Sequence, residues 1–161
     1  MIVRLSRDEV RVCTMLATER WLAKYGSVDR PNYAEGKKNG YLEHELLANV
    51  RANVSEWAVA SVTDTAWNVP WYPNELHPRR AKLPDVGVNF EVRTVRTRDS
   101  IPFWSKDEGK IIVGTKIIDE DYYSQVEVFG WCNPAEYATS QYRDETISGW
   151  RVPVTELKEF K

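Results

Sequence analysis

Apolar positions recur at helical spacing in two stretches of the first half of the chain, then alternate at strand spacing in the second. Ser6-Arg7-Asp8-Glu9 has the form of a capping box and predicts a helix start. Val10, Cys13, Ala17 and Trp21 carry the apolar face onward, and Gly26 is the predicted stop. Residues 27–40 hold Pro31, Asn32, Gly36, Asn39, Gly40 and the pair Lys37-Lys38, so a mobile loop is expected there. From Leu42 to Val62 there is neither Pro nor Gly. Leu47, Val50, Val54, Trp57 or Ala58, and Ser61 or Val62 step by three and four, which predicts a long amphipathic helix.

Residues 66–84 are dense in Pro and aromatics and predict an irregular connection. Val86–Thr97 alternates and reads as a strand, with Glu91 and Arg93 on one face and Val88, Phe90 and Val92 on the other. Asp99–Gly109 reads as a turn region. Lys110–Ile118 reads as a central strand and Gln125–Trp131 as another. Asn133-Pro134-Ala135-Glu136 has the cap, the proline and the acid of a short helix start. Trp150–Val154 predicts a brief strand, and Thr155–Phe160 a terminal helical turn. No repeat or composition break divides residues 1–161, so one α/β (α+β) domain is expected, with a central mixed sheet flanked by helices.

Composition narrows the function classes. The chain has 161 residues, 42% of them hydrophobic and 29% charged, enough for one real core. A net charge of −2 gives no global argument for nucleic acid. Locally the balance differs. Between Arg79 and Arg98 six cations (Arg79, Arg80, Lys82, Arg93, Arg96, Arg98) accompany two acids (Asp85, Glu91). Two cysteines, Cys13 and Cys132, suggest a reduced compartment without a disulfide framework. Two histidines, His44 and His77, argue against structural zinc and against a His-rich nuclease motif. The first residues lack the apolar run of a signal peptide, and no apolar stretch is long enough to span a membrane. A cytoplasmic protein is the expectation.

The candidate chemistry lies in Pro84-Asp85-Val86-Gly87-Val88-Asn89-Phe90-Glu91-Val92-Arg93. Two acids and a cation near one spot suit a divalent-metal site for phosphodiester chemistry; the alternative is a half-buried strand with a solvated charged face. The short gap from Asp85 to Glu91 requires a tight bend at Gly87 or Asn89. Glu56, an acid among Ala52, Ala58, Val59 and Ala60 on the long helix, is a third candidate. Trp67, Trp71 and Tyr72 suit either base stacking or an aromatic lid on the core.

An acid on a helix, then Pro-Asp, then Glu-x-basic on a strand resembles the PD-(D/E)XK nuclease superfamily. The likeness is to small phage and prophage proteins of that superfamily. It is carried by Val54-Ser-Glu-Trp-Ala-Val-Ala60, Ala66-Trp67-Asn68, Pro84-Asp-Val-Gly87 and Glu91-Val-Arg-Thr94. The strand Lys110–Ile118, Phe129-Gly-Trp131, Trp150-Arg-Val-Pro153 and Leu157 extend it. The resemblance implies a restriction-endonuclease-like fold and a Mg²⁺- or Mn²⁺-dependent nuclease acting on DNA in a bacterial host cell. Asp85 and Glu91 would be metal ligands together with the Val92 carbonyl, and Glu56 would hold a metal-bound water or a second ion. Arg93 stands where the family has Lys. It cannot act as a base, but it can grip a phosphate or stabilise transition-state charge. Arg79, Arg80, Lys82, Arg96 and Arg98 would contact the nucleic-acid backbone, and a homodimer would cut two strands. The alternatives are a non-catalytic nucleic-acid-binding module that keeps the fold, or a protein-interaction module.

Overall fold

A computed structural model describes residues 1–24, 42–69 and 83–160. The expected loop at 27–40 with Lys37-Lys38, the stop at Gly26, His77, Trp71, Tyr72, and the cations Arg79, Arg80 and Lys82 lie outside the described residues.

Two helices open the chain, α1 (Arg7–Lys24) and α2 (Leu42–Thr63). The capping box forms at α1: Glu9 Oε2 accepts from the Ser6 amide at 2.6 Å, and Ser6 Oγ accepts from the Glu9 amide at 3.3 Å. The helices are joined in the core by polar as well as apolar contacts. Asn53 Nδ2 donates to the Cys13 carbonyl at 3.0 Å, and both residues are fully buried. Val50, Val54 and Ala58 face inward as the periodicity predicts, whereas Leu47 is 40% exposed.

Among the described residues seven strands follow two different rules of assembly. β1 (Ile2–Arg4), β5 (Gln125–Cys132), β4 (Ile111–Ile117) and β2 (Phe90–Val95) lie side by side in that order. β2 runs parallel to β4, and the other two pairings are antiparallel, so the sheet is mixed. β3 (Ser100–Phe103), β7 (Gly149–Pro153) and β6 (Arg143–Asp144) form a small antiparallel sheet. A short helix α3 (Pro134–Tyr137) begins at Asn133, whose side chain accepts from the Ala135 amide at 3.1 Å. The mixed α and β content and the central mixed sheet agree with the class expected from the pattern.

The four-stranded sheet separates two cores. On one face Val113, Ile117, Val126 and Val128 pack with Cys13, Ala17, Val54 and Ala58 of the helices. On the other, Ile112 and Cys132 pack with Ile101, Phe103 and Val152 of the small sheet and with Leu157. β4 can serve both because its side chains alternate, and its continuous apolar run reflects burial on both faces.

Several expectations are corrected. β1 went unpredicted, being only three residues long. Val86–Thr97 is not one strand: Val86 forms an isolated bridge to Phe90 across a bend, and the regular strand starts at Phe90. Val88 sits at the tip of that bend, 92% exposed, and not in the core. The presumed turn region contains β3, an edge strand that tolerates Pro102. The expected terminal helical turn is one 3-10 turn, Val154–Glu156. After it the chain extends, and Lys158 bridges to Trp131.

That last bridge depends on Gly130. Its φ is +150°, and an added Cβ would lie 2.4 Å from the Lys158 carbonyl oxygen. The same carbonyl accepts from the Trp131 amide at 2.8 Å. Gly130→Ala should therefore expel the terminal segment and lower stability by about 1–3 kcal/mol, read as a fall in the urea midpoint. An unchanged midpoint would show that the segment adds nothing.

Candidate functional site

The site forms around β2, which has β4 on one side and, among the described residues, no strand on the other. An outer strand leaves amide and carbonyl groups in need of partners. Here the preceding bend supplies them. The Phe90 amide donates to the Val86 carbonyl and the Val86 amide to the Phe90 carbonyl, both at 3.1 Å. Two residues on, the Val92 amide donates to Asp85 Oδ2 at 2.8 Å, and Arg93 Nη1 donates to the Val92 carbonyl at 3.2 Å. Asp85 therefore serves as an extension of the sheet. Gly87 makes the bend feasible with a φ of +56°. Asn68 braces it, its side-chain amide donating to the carbonyls of Pro84 (2.9 Å) and Gly87 (2.7 Å).

Glu91 and Arg93 share a face of β2, as the alternation predicts, and Phe90 and Val92 pack toward the helices. Arg93 Nη1 donates to Glu91 Oε2 at 3.2 Å and lies 4.0 Å from Asp85 Oδ2. Arg93 Nη2 donates to both oxygens of Asp107, each at 3.0 Å. The other oxygen of Glu91, Oε1, accepts from Lys110 Nζ. Glu56 approaches from α2. It is 4% exposed, accepts from the Trp67 indole at 2.9 Å, and has Arg20 Nη1 3.8 Å away. Trp67 is thus a donor to the acid, braced edge-on by Trp57 with ring centroids 5.4 Å apart.

Four carboxylates (Glu56, Asp85, Glu91, Asp107) thus meet three cations (Arg20, Arg93, Lys110) in a largely buried space. Burial raises the Glu56 carboxyl, the charge of Asp85 raises it further, and Arg20 and Trp67 only partly oppose them; it is pushed up to about 8. Asp85 is pushed up to about 6, first by burial and then by Glu91, against the Val92 amide and Arg93. Glu56, Asp85 and Glu91 are therefore close enough to feel one another's charge. Among the described residues, however, no three His, Cys, Asp or Glu side chains form a group placed to hold a metal ion.

The remaining candidates divide. Arg96 is exposed and paired with Glu120 at 3.2 Å. Arg98 is exposed at the strand's end. Cys13 and Cys132 are buried core thiols, both pushed up to about 12 by burial, so neither is a nucleophile. His44 lies in the first turn of α2. Sequence reasoning missed Asp107, Lys110, Arg20 and Asn68. Lys110 opens the predicted central strand Lys110–Ile118, and that place at the head of a strand was its one available signal.

The acid cluster fixes a pH dependence. An unfolded Glu loses its proton near 4.5, whereas folded Glu56 keeps it to about 8. Between those values the fold binds more protons than the unfolded chain, so stability falls as pH rises. Asp85 acts with the same sign from 3.8 to about 6. In buffer free of divalent cations the melting temperature should decline from pH 5 to pH 8. Glu56→Gln should flatten the decline and stabilise the fold at pH 8 by about 2 kcal/mol. An equally steep decline in that variant would assign the effect elsewhere.

Compared with known proteins, the chain matches no family model, no curated protein and no solved structure, so a reading of this site rests on its own geometry.

Proposed function

We propose that the protein is a metal-dependent nuclease that hydrolyses phosphodiester bonds of DNA on a restriction-endonuclease-like core. One observation carries the reading. Asp85 and Glu91 meet at the β2 edge with Arg93 and Lys110 beside them and the buried acid Glu56 behind. The donor chemistry fits Mg²⁺ or Mn²⁺. Such an ion takes hard oxygen ligands, keeps several waters, and needs only one or two protein carboxylates when substrate phosphate supplies others. Two acids with raised proton affinity are also the condition that a divalent cation relieves. When bound, the ion would generate hydroxide near neutral pH and neutralise charge at phosphorus.

The chain's own groups divide the remaining work. Asp85 and Glu91 would hold the ion, with Val92 able to add a carbonyl if Arg93 releases it. Glu56 sits behind them, held by the Trp67 indole, and would hold a metal-bound water or a second ion. Arg93 is a fixed positive charge beside the reacting phosphate. Lys110 brings a second cation to the acid beside Arg93, its ammonium donating to Glu91 Oε1. Arg96 and Arg98 lie in the exposed segment that follows the same strand, where they suit backbone phosphates.

Supercoiled plasmid in Mg²⁺ or Mn²⁺ should be nicked by the wild type. Asp85→Ala and Glu91→Ala should each lose about 100-fold or more, the scale on which removal of one preorganised charged partner acts. Lys110→Ala should lose activity as well, because Glu91 Oε1 loses its partner. Undiminished cleavage by both acid variants would put the chemistry elsewhere. A second reading, a non-catalytic nucleic-acid-binding or protein-interaction module, is favoured by one fact: Arg93 and Lys110 between them already occupy both oxygens of Glu91. Salt-dependent DNA binding with no cleavage and no Mn²⁺ heat would select the DNA-binding form of it. No binding of any nucleic acid would select the protein-interaction form.

A further inference from the structure

Asp107 is fully buried, yet the proposed reaction gives it no step. Its carboxylate is committed to Arg93. Nη2 of Arg93 donates to both of its oxygens at 3.0 Å, and the Trp104 amide donates to Oδ2 at 3.0 Å. Asp107 is itself anchored. It closes a single 3-10 turn (Ser105–Asp107), its amide donates to the Trp104 carbonyl at 2.9 Å, and the Trp104 indole donates to the Ile147 carbonyl at 3.1 Å. The Trp104 ring also lies 5.6 Å from the Arg93 guanidinium carbon.

Three carboxylates compete for Arg93. A guanidinium prefers two parallel bonds to one carboxylate. Asp107 occupies Nη2 fully, so Nη1 is left to span Glu91 Oε2 and the Val92 carbonyl, with Asp85 4.0 Å away. Arg93 Nε is buried without a hydrogen bond, so no donor at the base of the fork adds a competing hold.

We propose that Asp107 is a positioning residue. By seizing Nη2 it sets the plane of the Arg93 guanidinium and keeps that group from folding bidentately onto Glu91, which would draw Glu91 off Lys110 and cover Asp85. The consequence for turnover rests on the nuclease reading; the clamp itself does not.

The experiment is a double-mutant cycle with a spectroscopic companion. Asp107→Asn keeps the shape and halves the acceptors. It should lower kcat by about 10- to 100-fold, the scale of a lost supporting hydrogen bond at a metal site, with KM unchanged. In an Arg93→Gln background the same substitution should leave kcat unchanged, because its target is gone. An equal loss in both backgrounds would make Asp107 merely structural and overturn the proposal, as would no loss in the wild-type background. Nitrogen-detected NMR of the wild-type Arg93 guanidinium supplies the companion. Resolved, slowly exchanging Nη signals are expected of a locked fork, and a single averaged signal overturns the proposal. This spectrum decides if Asp107→Asn fails to fold. Absence of cleavage by the wild type under every condition would sink the nuclease reading, while the spectrum still judges the clamp.

Discussion

The hydrogen-bonding needs of one outer strand organise this molecule's charged centre. Among the described residues β2 pairs with β4 along one side only, and its other side must find donors and acceptors. The chain meets that need by turning back on itself at Gly87, pairing Val86 with Phe90 and then handing the next position to side chains. Because the amide and carbonyl of Val92 point the same way, an acceptor and a donor are both required there. Asp85 is the acceptor and Arg93 the donor. The acid and the cation are thus brought together by backbone satisfaction before any chemistry is considered.

Everything else in the centre follows from compensating those charges in a space with little water. Each layer of the fold contributes one element. The helical layer brings Glu56 with Arg20; the four-stranded sheet brings Glu91, Arg93 and Lys110; the turn after β3 brings Asp107. Removing charge from water costs several kcal/mol per ion unless it is paired and hydrogen-bonded. The arrangement obeys that rule unevenly. Asp107 is paired with a fork and a backbone amide, whereas Glu56 has one indole and a guanidinium 3.8 Å off. The unevenness is why Glu56 retains a proton at pH values where an ordinary carboxylate has lost it. The close approach of the small sheet depends on Gly114, where a Cβ would lie 2.9 Å from Leu157 and 3.1 Å from Ile101.

The sequence was readable where a local signal coincided with a local cause. The Ser6–Glu9 box, the stripe of α2, the apolar run of β4 and the Asn133 cap each depend on neighbours within a few residues, and each formed where the pattern placed it. The bend required by the short Asp85–Glu91 spacing was legible for the same reason. Val88 misled because alternation does not reveal where a strand begins; at the tip of the bend its side chain meets solvent. Leu47 fits the helical stripe, but it lies early in α2 and is 40% exposed. Asp107 and Lys110 could not be weighed from spacing. Their partners lie 14 and 19 residues away, and only the parallel register of β2 with β4 brings them into reach.

That register also explains how a second cation reaches Glu91 beside Arg93. Parallel pairing sets Phe90 beside Ile111 and Glu91 beside Ile112, so the residue just before β4 enters the same neighbourhood as Glu91. Two positions are therefore available to a cation near one carboxylate, one on the strand and one at the head of its neighbour. A guanidinium suits the first, where three carboxylates converge and a planar fork can serve more than one of them. An ammonium suits the second, where a single oxygen is the partner and the side chain is 26% exposed. A lysine at 93 would have no fork with which to engage Asp107 and Glu91 together. The division of labour between the two cations thus follows from geometry, with the parallel pair as its cause.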